Sequence, residues 1–314
     1  MHAPPAFAPA DRLAAVVQQV GSVILGKERA IRLALTCLLA RGHLLIEDLP
    51  GLGKTTLAHA LGRTLGLEVR RIQFTSDLLP ADILGAAVYD REQAAFVFHP
   101  GPVFAQLVLA DEINRASPKT QSALLEAMEE GQVTSDGHSR PLPVPFFVIA
   151  TQNPMTQLGT FPLPESQLDR FLMRLTLGYP DARAERALLA GEDRRRLLER
   201  LSPLLGPGEL TALQARCEQV HLAPPLLDYA QALLAQSRFD PAFETGLSPR
   251  AGQALLRAAR AWALLEGRDH ALPEDVQAVL PALAGHRLRP ASAQVGARPE
   301  ELVRRLLSAV PVPV

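Results

Sequence analysis

Cysteine and net charge are both scarce in this chain of 314 residues. Cys37 and Cys217 are its only cysteines, far apart and in no CxxC pair. That excludes a disulfide framework and favours buried or free thiols over metal or disulfide roles. The formal net charge is -1, so no global positive field exists to hold DNA, RNA or an anionic membrane, and only a local basic patch could serve such a partner. No apolar run approaches the ~20 residues a spanning helix needs, and the N-terminus has no charged segment leading into an apolar one. A cytoplasmic protein is expected. No fixed-period repeat is present, which argues against a solenoid.

What is present suffices for real cores: 47% of residues are hydrophobic and 21% charged. The length exceeds what one core usually supports, so two domains are expected. Residues 1–10, rich in Pro and Ala, read as a flexible arm. From 11 to 179, short apolar runs alternate with helical patterns, the signature of an α/β unit with a mostly parallel sheet. Five strands are predicted, at His43–Glu47, Glu68–Phe74, Leu107–Ala110, Phe146–Ala150 and Leu172–Leu177. Ser117, Pro118 and Gly131 read as the N-cap, first turn and terminator of a helix whose Leu124, Leu125 and Met128 pack on the sheet. From 180 to 314, Ala/Leu/Arg-rich helical patterns dominate, interrupted at Pro203, Pro207, Pro224, Pro241 and Pro273, and predict a helical lid domain.

The stretch HLLIEDLPGLGKTTLAHALG sets a buried strand, a Gly-containing loop and then an amphipathic helix in the order a P-loop requires. Asp48, Leu49, Pro50, Gly51, Leu52, Gly53, Lys54, Thr55 and Thr56 are therefore the candidate phosphate cradle for ATP. Gly51 and Gly53 allow backbone N–H groups to approach phosphate oxygens, and the helix start adds its positive dipole end. Lys54 would meet the β- and γ-phosphates, and the Thr55 hydroxyl would ligate Mg²⁺, a cation that takes hard oxygen ligands. Asp48 stands where the usual pattern has its first glycine, a departure that puts a carboxylate near the phosphates. Downstream, LVLADEIN ends a strand in Asp111-Glu112. Asp111 would position Mg²⁺ through its water shell, and Glu112 would be the base that aligns the attacking water.

The segments EDLPGLGKT, LADEINRASPKTQSALLEAMEE, IATQNP, LPESQLDRF and SPRA together resemble the MoxR family of AAA+ ATPases. The resemblance covers nearly the whole chain and implies a P-loop core of five parallel strands with helices on both faces, plus a C-terminal all-helical lid. It implies that Asn153 is the sensor reading the γ-phosphate, although Asn before Pro is also an ordinary turn former. It implies that Arg170 is an arginine finger aimed into a neighbouring subunit, with Arg174 as the weaker candidate. Arg250 stands in the first turn of a helix capped by Ser248, where a cation opposes the dipole, and is implied to reach ATP from the lid. Ile24, Leu25 and Gly26 resemble the segment lining the adenine; a plain core role for Ile24 and Leu25 is the other reading.

Two hairpins are predicted: one within 82–103, turning near Asp90–Gln93, and one over 132–145, turning at Asp136-Gly137. They match the family's inserts and face either a ring pore or solvent. The resemblance further implies a hexameric ring, protein clients and a von Willebrand factor A-type partner, making the chain a Mg²⁺-dependent ATPase that acts as a chaperone or remodelling motor. A DNA-helicase-like motor and a nucleotide-binding switch with little turnover are the alternatives. The helicase needs basic hairpins, and GQVTSDGHSRPLPVP offers only Arg140 and His138 against Asp136.

Overall fold

Each of the five predicted apolar runs becomes a strand of one parallel sheet, at β1 (Leu44–Glu47), β2 (Val69–Gln73), β5 (Leu107–Asp111), β8 (Phe147–Gln152) and β9 (Met173–Leu175). The computed structural model describes residues 9–153, 159–191, 193–291 and 298–313. The spatial order is β2-β5-β8-β1-β9, and every neighbouring pair is parallel. Central β5 and β8 are buried almost throughout, as continuous apolar runs must be when helices cover both faces of a parallel sheet.

The predicted hairpins lie outside this sheet. β3 (Gly85–Asp90) pairs with β4 (Ala95–Pro100), and β6 (Gln132–Ser135) pairs with β7 (His138–Pro141), both antiparallel. Asp136 and Gly137 adopt φ of 54° and 75°, the left-handed pair a two-residue hairpin turn requires.

One face of the sheet carries α1 (Pro9–Val23), α2 (Glu28–Leu39) and α3 (Lys54–Thr64). The other carries α4 (Pro80–Leu84) and α5 (Pro118–Glu130). α5 starts and stops on its expected residues: Ser117 Oγ accepts the Thr120 N–H at 3.3 Å, and Gly131 takes a φ of 62°. Beyond the four-residue α6 (Glu165–Leu168) come α7 (Ala182–Ala190), α8 (Arg194–Glu199), α9 (Pro207–Gln219), α10 (Pro224–Phe239), α11 (Pro249–Leu265), α12 (Pro273–Ala284) and α13 (Pro299–Ala309). Prolines 207, 224 and 273, read as interruptions, open helices at the first position, where a missing N–H costs nothing. A short antiparallel pair, β10 (Phe243–Thr245) and β11 (Arg289–Pro290), joins the lid's two halves.

The buried cluster on the α1–α3 face runs without a break into α9–α13, so the helical region packs directly on the core instead of standing apart as a separate globule. α8 contributes to the nucleotide-binding half, where Arg63 Nη1 donates to the Leu198 carbonyl at 2.9 Å. Pro9 and Ala10 already belong to α1, and residues 1–8 of the expected arm lie outside the described residues.

Candidate active site

The strand order decides which motifs can meet. β8 lies between β5 and β1, so the end of β8 carries Asn153 into the gap between Asp111-Glu112 at the end of β5 and the loop that follows β1. In that loop Gly51 and Gly53 have φ of 83° and 90°, and Gly53 caps α3. L side chains rarely adopt this backbone, which turns successive N–H groups toward the start of the helix. Among the described residues, nothing apart from its own chain neighbours stands within 4 Å of where a Gly51 Cβ would be, and Ile24 Cδ1 lies 3.9 Å from the corresponding point on Gly53. Ile24 itself is buried, Leu25 is half-buried, and Gly26 is exposed with a φ of 68°, beside Asp181 and Ala184 at the start of α7.

Lys54 Nζ donates to the main-chain carbonyls of Asp48 and Leu49. Burial pushes its ammonium pKa down, and the carboxylates of Asp48, Asp111 and Glu112 oppose that push. The same electrostatic coupling puts the loop lysine and the acidic pair in one site. Thr55 and Thr56 occupy the first turn of α3, and Leu49, Pro50 and Leu52 complete the loop.

Asp48 has main-chain partners beyond the loop. Its Oδ2 accepts the backbone N–H groups of Leu177 and Gly178 at 2.7 and 2.6 Å, and its Oδ1 accepts that of Leu49. The carboxylate is directed at the segment leaving β9 and ties the loop to the sheet edge.

The acidic pair has partners that motif reading did not supply. Asp111 Oδ2 accepts Arg71 Nη2 at 2.6 Å and Nε at 3.1 Å, while Oδ1 accepts the Thr151 hydroxyl at 2.6 Å. Thr151 Oγ1 in turn accepts the Glu112 N–H at 2.9 Å, holding Glu112 in a left-handed conformation with φ 57°. Glu112 Oε2 meets Gln73 Nε2 at 3.3 Å and Arg115 Nε at 3.1 Å. Arg71 and Gln73 are two apart on β2, opposite Leu109 and Asp111, which is why both reach the acidic strand end. A strand over Glu68–Phe74 was legible; that β2 would neighbour β5 was not.

The arginines lie elsewhere. Arg170 Nη2 pairs with Glu129 Oε2 at 3.0 Å, and its Nη1 donates to the Leu125 carbonyl. Arg250 Nη2 pairs with the other Glu129 oxygen at 3.1 Å. They share a cavity with Gly42, His43 and Leu172, which lead into β1 and β9, whereas Lys54 lies past the opposite end of β1. Arg250 therefore stands away from the phosphate loop of its own chain. The packing of α11 on α2 carries its N-terminus to the entry side of the sheet. Arg174 is corrected as a finger: its Nη1 pairs with Glu47 Oε2 at 3.0 Å and its Nη2 donates to the Gly285 carbonyl at 2.8 Å, bracing the core against its own lid.

Residues 43–173 match the model of the ATPase family associated with various cellular activities (AAA), and residues 235–306 match an AAA lid domain. The chain is 37% identical to Chaperone MoxR1 of Mycobacterium tuberculosis, over 94% of this chain and 81% of that protein. The chain belongs to the MoxR family of AAA+ ATPases. It is also 45% identical to the uncharacterized protein YeaC of Bacillus subtilis, over 96% of this chain and 95% of that one. A crystal structure of a Cytophaga hutchinsonii protein described as an ATPase superposes with a TM-score of 0.87 at 34% identity, covering 98% of this chain and 96% of that one.

Membership in the MoxR family makes the chain a nucleotide-binding ATPase, and the donor set fits that chemistry. The loop glycines take positive φ ahead of the helix start, Lys54 supplies a cation, and Thr55 and Asp111 would offer the hard oxygens Mg²⁺ takes. No helix among the described residues is long and apolar enough to cross a membrane.

Proposed function

We propose that this MoxR-family chain hydrolyses Mg-ATP as a ring of identical subunits and uses the cycle to remodel protein clients. The observation that carries the reading is the division of the arginines from the phosphate loop: Arg170 and Arg250 converge on Glu129 at the entry side of the sheet, away from Lys54. Cations so placed cannot complete their own site but suit an adjacent protomer's. Glu129 sits in the last turn of α5, where a carboxylate opposes the helix dipole, and the two guanidiniums offset that penalty.

Within one site, Lys54 binds the β- and γ-phosphates, Thr55 and Asp111 would hold Mg²⁺, and Glu112 polarises the attacking water while Asn153 fixes its position. Mg²⁺, when bound, would supply positive charge that offsets the charge of the phosphates. Arg170 and Arg250 of the neighbour stabilise the charge that develops during transfer, a contribution of about 10³–10⁵ in rate for such fingers. Ile24, Leu25 and Gly26 flank the loop on the side proposed for the adenine.

A hexamer with a von Willebrand factor A-type client is the assembly we favour on family grounds, and a relative bears the name chaperone. The DNA-motor reading loses support at the hairpins. Arg140 stacks on Phe98 at 3.8 Å and donates to the Ser135 and His138 carbonyls, so it is engaged within the protein. The exposed surface of the first hairpin is instead aromatic, with Tyr89 and Phe96 in edge-to-face contact.

The test is Mg-ATP hydrolysis per protomer across a wide protein concentration range, with light scattering at each point. Specific activity should rise as rings form. Full turnover by a monodisperse monomer would overturn the proposal.

A further inference from the structure

The loop that carries Arg170 is gripped by the lid of its own chain. Arg287, just beyond α12, is 8% exposed, and all five of its N–H donors are used. Its Nε donates to Asp169 Oδ1 at 2.6 Å, and its Nη2 donates to the carbonyls of Asp169 and Phe171 at 3.1 and 2.8 Å. Its Nη1 donates to the Leu172 carbonyl at 3.2 Å and, within the lid, to that of Leu283 at 2.5 Å. His286 Nε2 donates to the Phe171 carbonyl as well, at 3.1 Å. Four of the five Arg287 bonds thus fall on residues 169–172, the stretch from which the Arg170 side chain leaves.

The same lid segment is tied to the phosphate loop. Glu47, which immediately precedes Asp48, accepts Gln152 Nε2 through one oxygen and Arg174 through the other; Arg174 then donates to the carbonyl of Gly285, two residues before Arg287. Polar contacts therefore run from the ends of β8 and β1 to Gly285, and the covalent chain from Gly285 to Arg287 joins them to the grip on the Arg170 loop.

We propose that Arg287 is a positioning residue for Arg170: it fixes the 169–172 loop to the lid, so that lid placement in one protomer sets the arginine offered to the next. This rests on the reading above that Arg170 acts in trans. Arg287 touches no nucleotide itself. Its fork geometry matters because lysine, with three donors and no planar array, cannot hold four loop acceptors at once.

The experiment mixes protomers before nucleotide is added. Arg287→Lys alone should lose turnover by roughly 10²-fold, the cost of a misplaced catalytic group, while its affinity for a fluorescent ATP analogue is unchanged. Mixed with Glu112→Gln, which retains Arg170 but lacks its own base, it should regain turnover well above the sum of the separate proteins. Asp169→Asn, which weakens the same grip without touching the buried arginine, should behave alike and serves if Arg287→Lys fails to fold. Arg170→Ala mixed with Glu112→Gln is the control. If that control recovers and neither grip variant does, or if both grip variants alone keep wild-type turnover, the positioning role is wrong. If the control itself fails to recover, the trans reading falls and this inference with it.

Discussion

The Asp48 carboxylate accepts the backbone N–H of Gly178 at 2.6 Å, and through the same oxygen that of Leu177 at 2.7 Å. A residue in the phosphate loop is thereby a structural bracket between β1 and the chain leaving β9. Asp48→Ala leaves two enclosed donors without their acceptor and should destabilise the fold by about 3 kcal/mol, the scale for charge-assisted bonds to buried donors. Chemical denaturation checks this. A variant as stable as the wild type that binds nucleotide more tightly would show that the carboxylate acts on phosphate instead.

Glu112→Gln keeps the size and the hydrogen-bonding reach of the side chain and removes its basicity. Turnover should fall by about 10²–10⁴, with nucleotide affinity retained. Steady-state hydrolysis beside equilibrium binding of a fluorescent nucleotide reads both. Wild-type turnover would remove Glu112 from the base role.

Arg71→Met takes two donors from Asp111 and leaves it with the Thr151 hydroxyl alone. A carboxylate free to rotate no longer presents a fixed oxygen to a metal-bound water. We expect turnover to fall by roughly tenfold or more, with the melting temperature nearly unchanged because Arg71 is half exposed. The measurement is kcat beside thermal melting.

His43 joins β8 to α5: its Nδ1 accepts the Val148 N–H at 3.1 Å, and its Nε2 donates to the Met128 carbonyl at 3.2 Å. Burial lowers its pKa from 6.5 to about 4. The unfolded chain therefore takes up this proton at a higher pH than the folded one. The stabilisation is fully present above pH 6.5 and is lost as pH falls through 4, by about 3 kcal/mol in all. His286, also depressed by burial, adds to the same acid sensitivity. Stability measured from pH 7 to 4 should fall less steeply in His43→Gln, which keeps a donor and an acceptor but does not titrate in this range.

Cys37 and Cys217 are both buried, and burial pushes the Cys217 thiol up to about 12 and Cys37 higher still. Neither forms the reactive thiolate at neutral pH. An aromatic disulfide reagent should label the folded protein only at the rate of opening, and both thiols promptly in denaturant.

The five strands and the start and stop of α5 were all legible in the sequence, because each is written in contiguous residues. Apolar runs too short for helices make strands, and Ser117-Pro118 and Gly131 have backbone preferences that punctuate a helix whatever surrounds it. The hairpin turn at Asp136-Gly137 is local in the same sense. The phosphate loop, too, is one uninterrupted segment.

What the sequence could not supply were relations between distant segments. Arg71 and Asp111 meet because β2 lies beside β5, and spacing along the chain does not report strand order. Arg250 was expected to reach ATP from the lid, and which chain's ATP depends on the docking of α11 on α2, which sets it beside Glu129 at the entry side of the sheet. Arg174 and Arg287, similar cations in sequence, become an internal brace and a five-bond clamp because of what the lid sets against them. Local backbone preference and hydrophobic period are properties of neighbouring residues, so the chain determined its own elements. Ion pairs form wherever packing brings charge together, so only the tertiary structure decided which arginine serves which site.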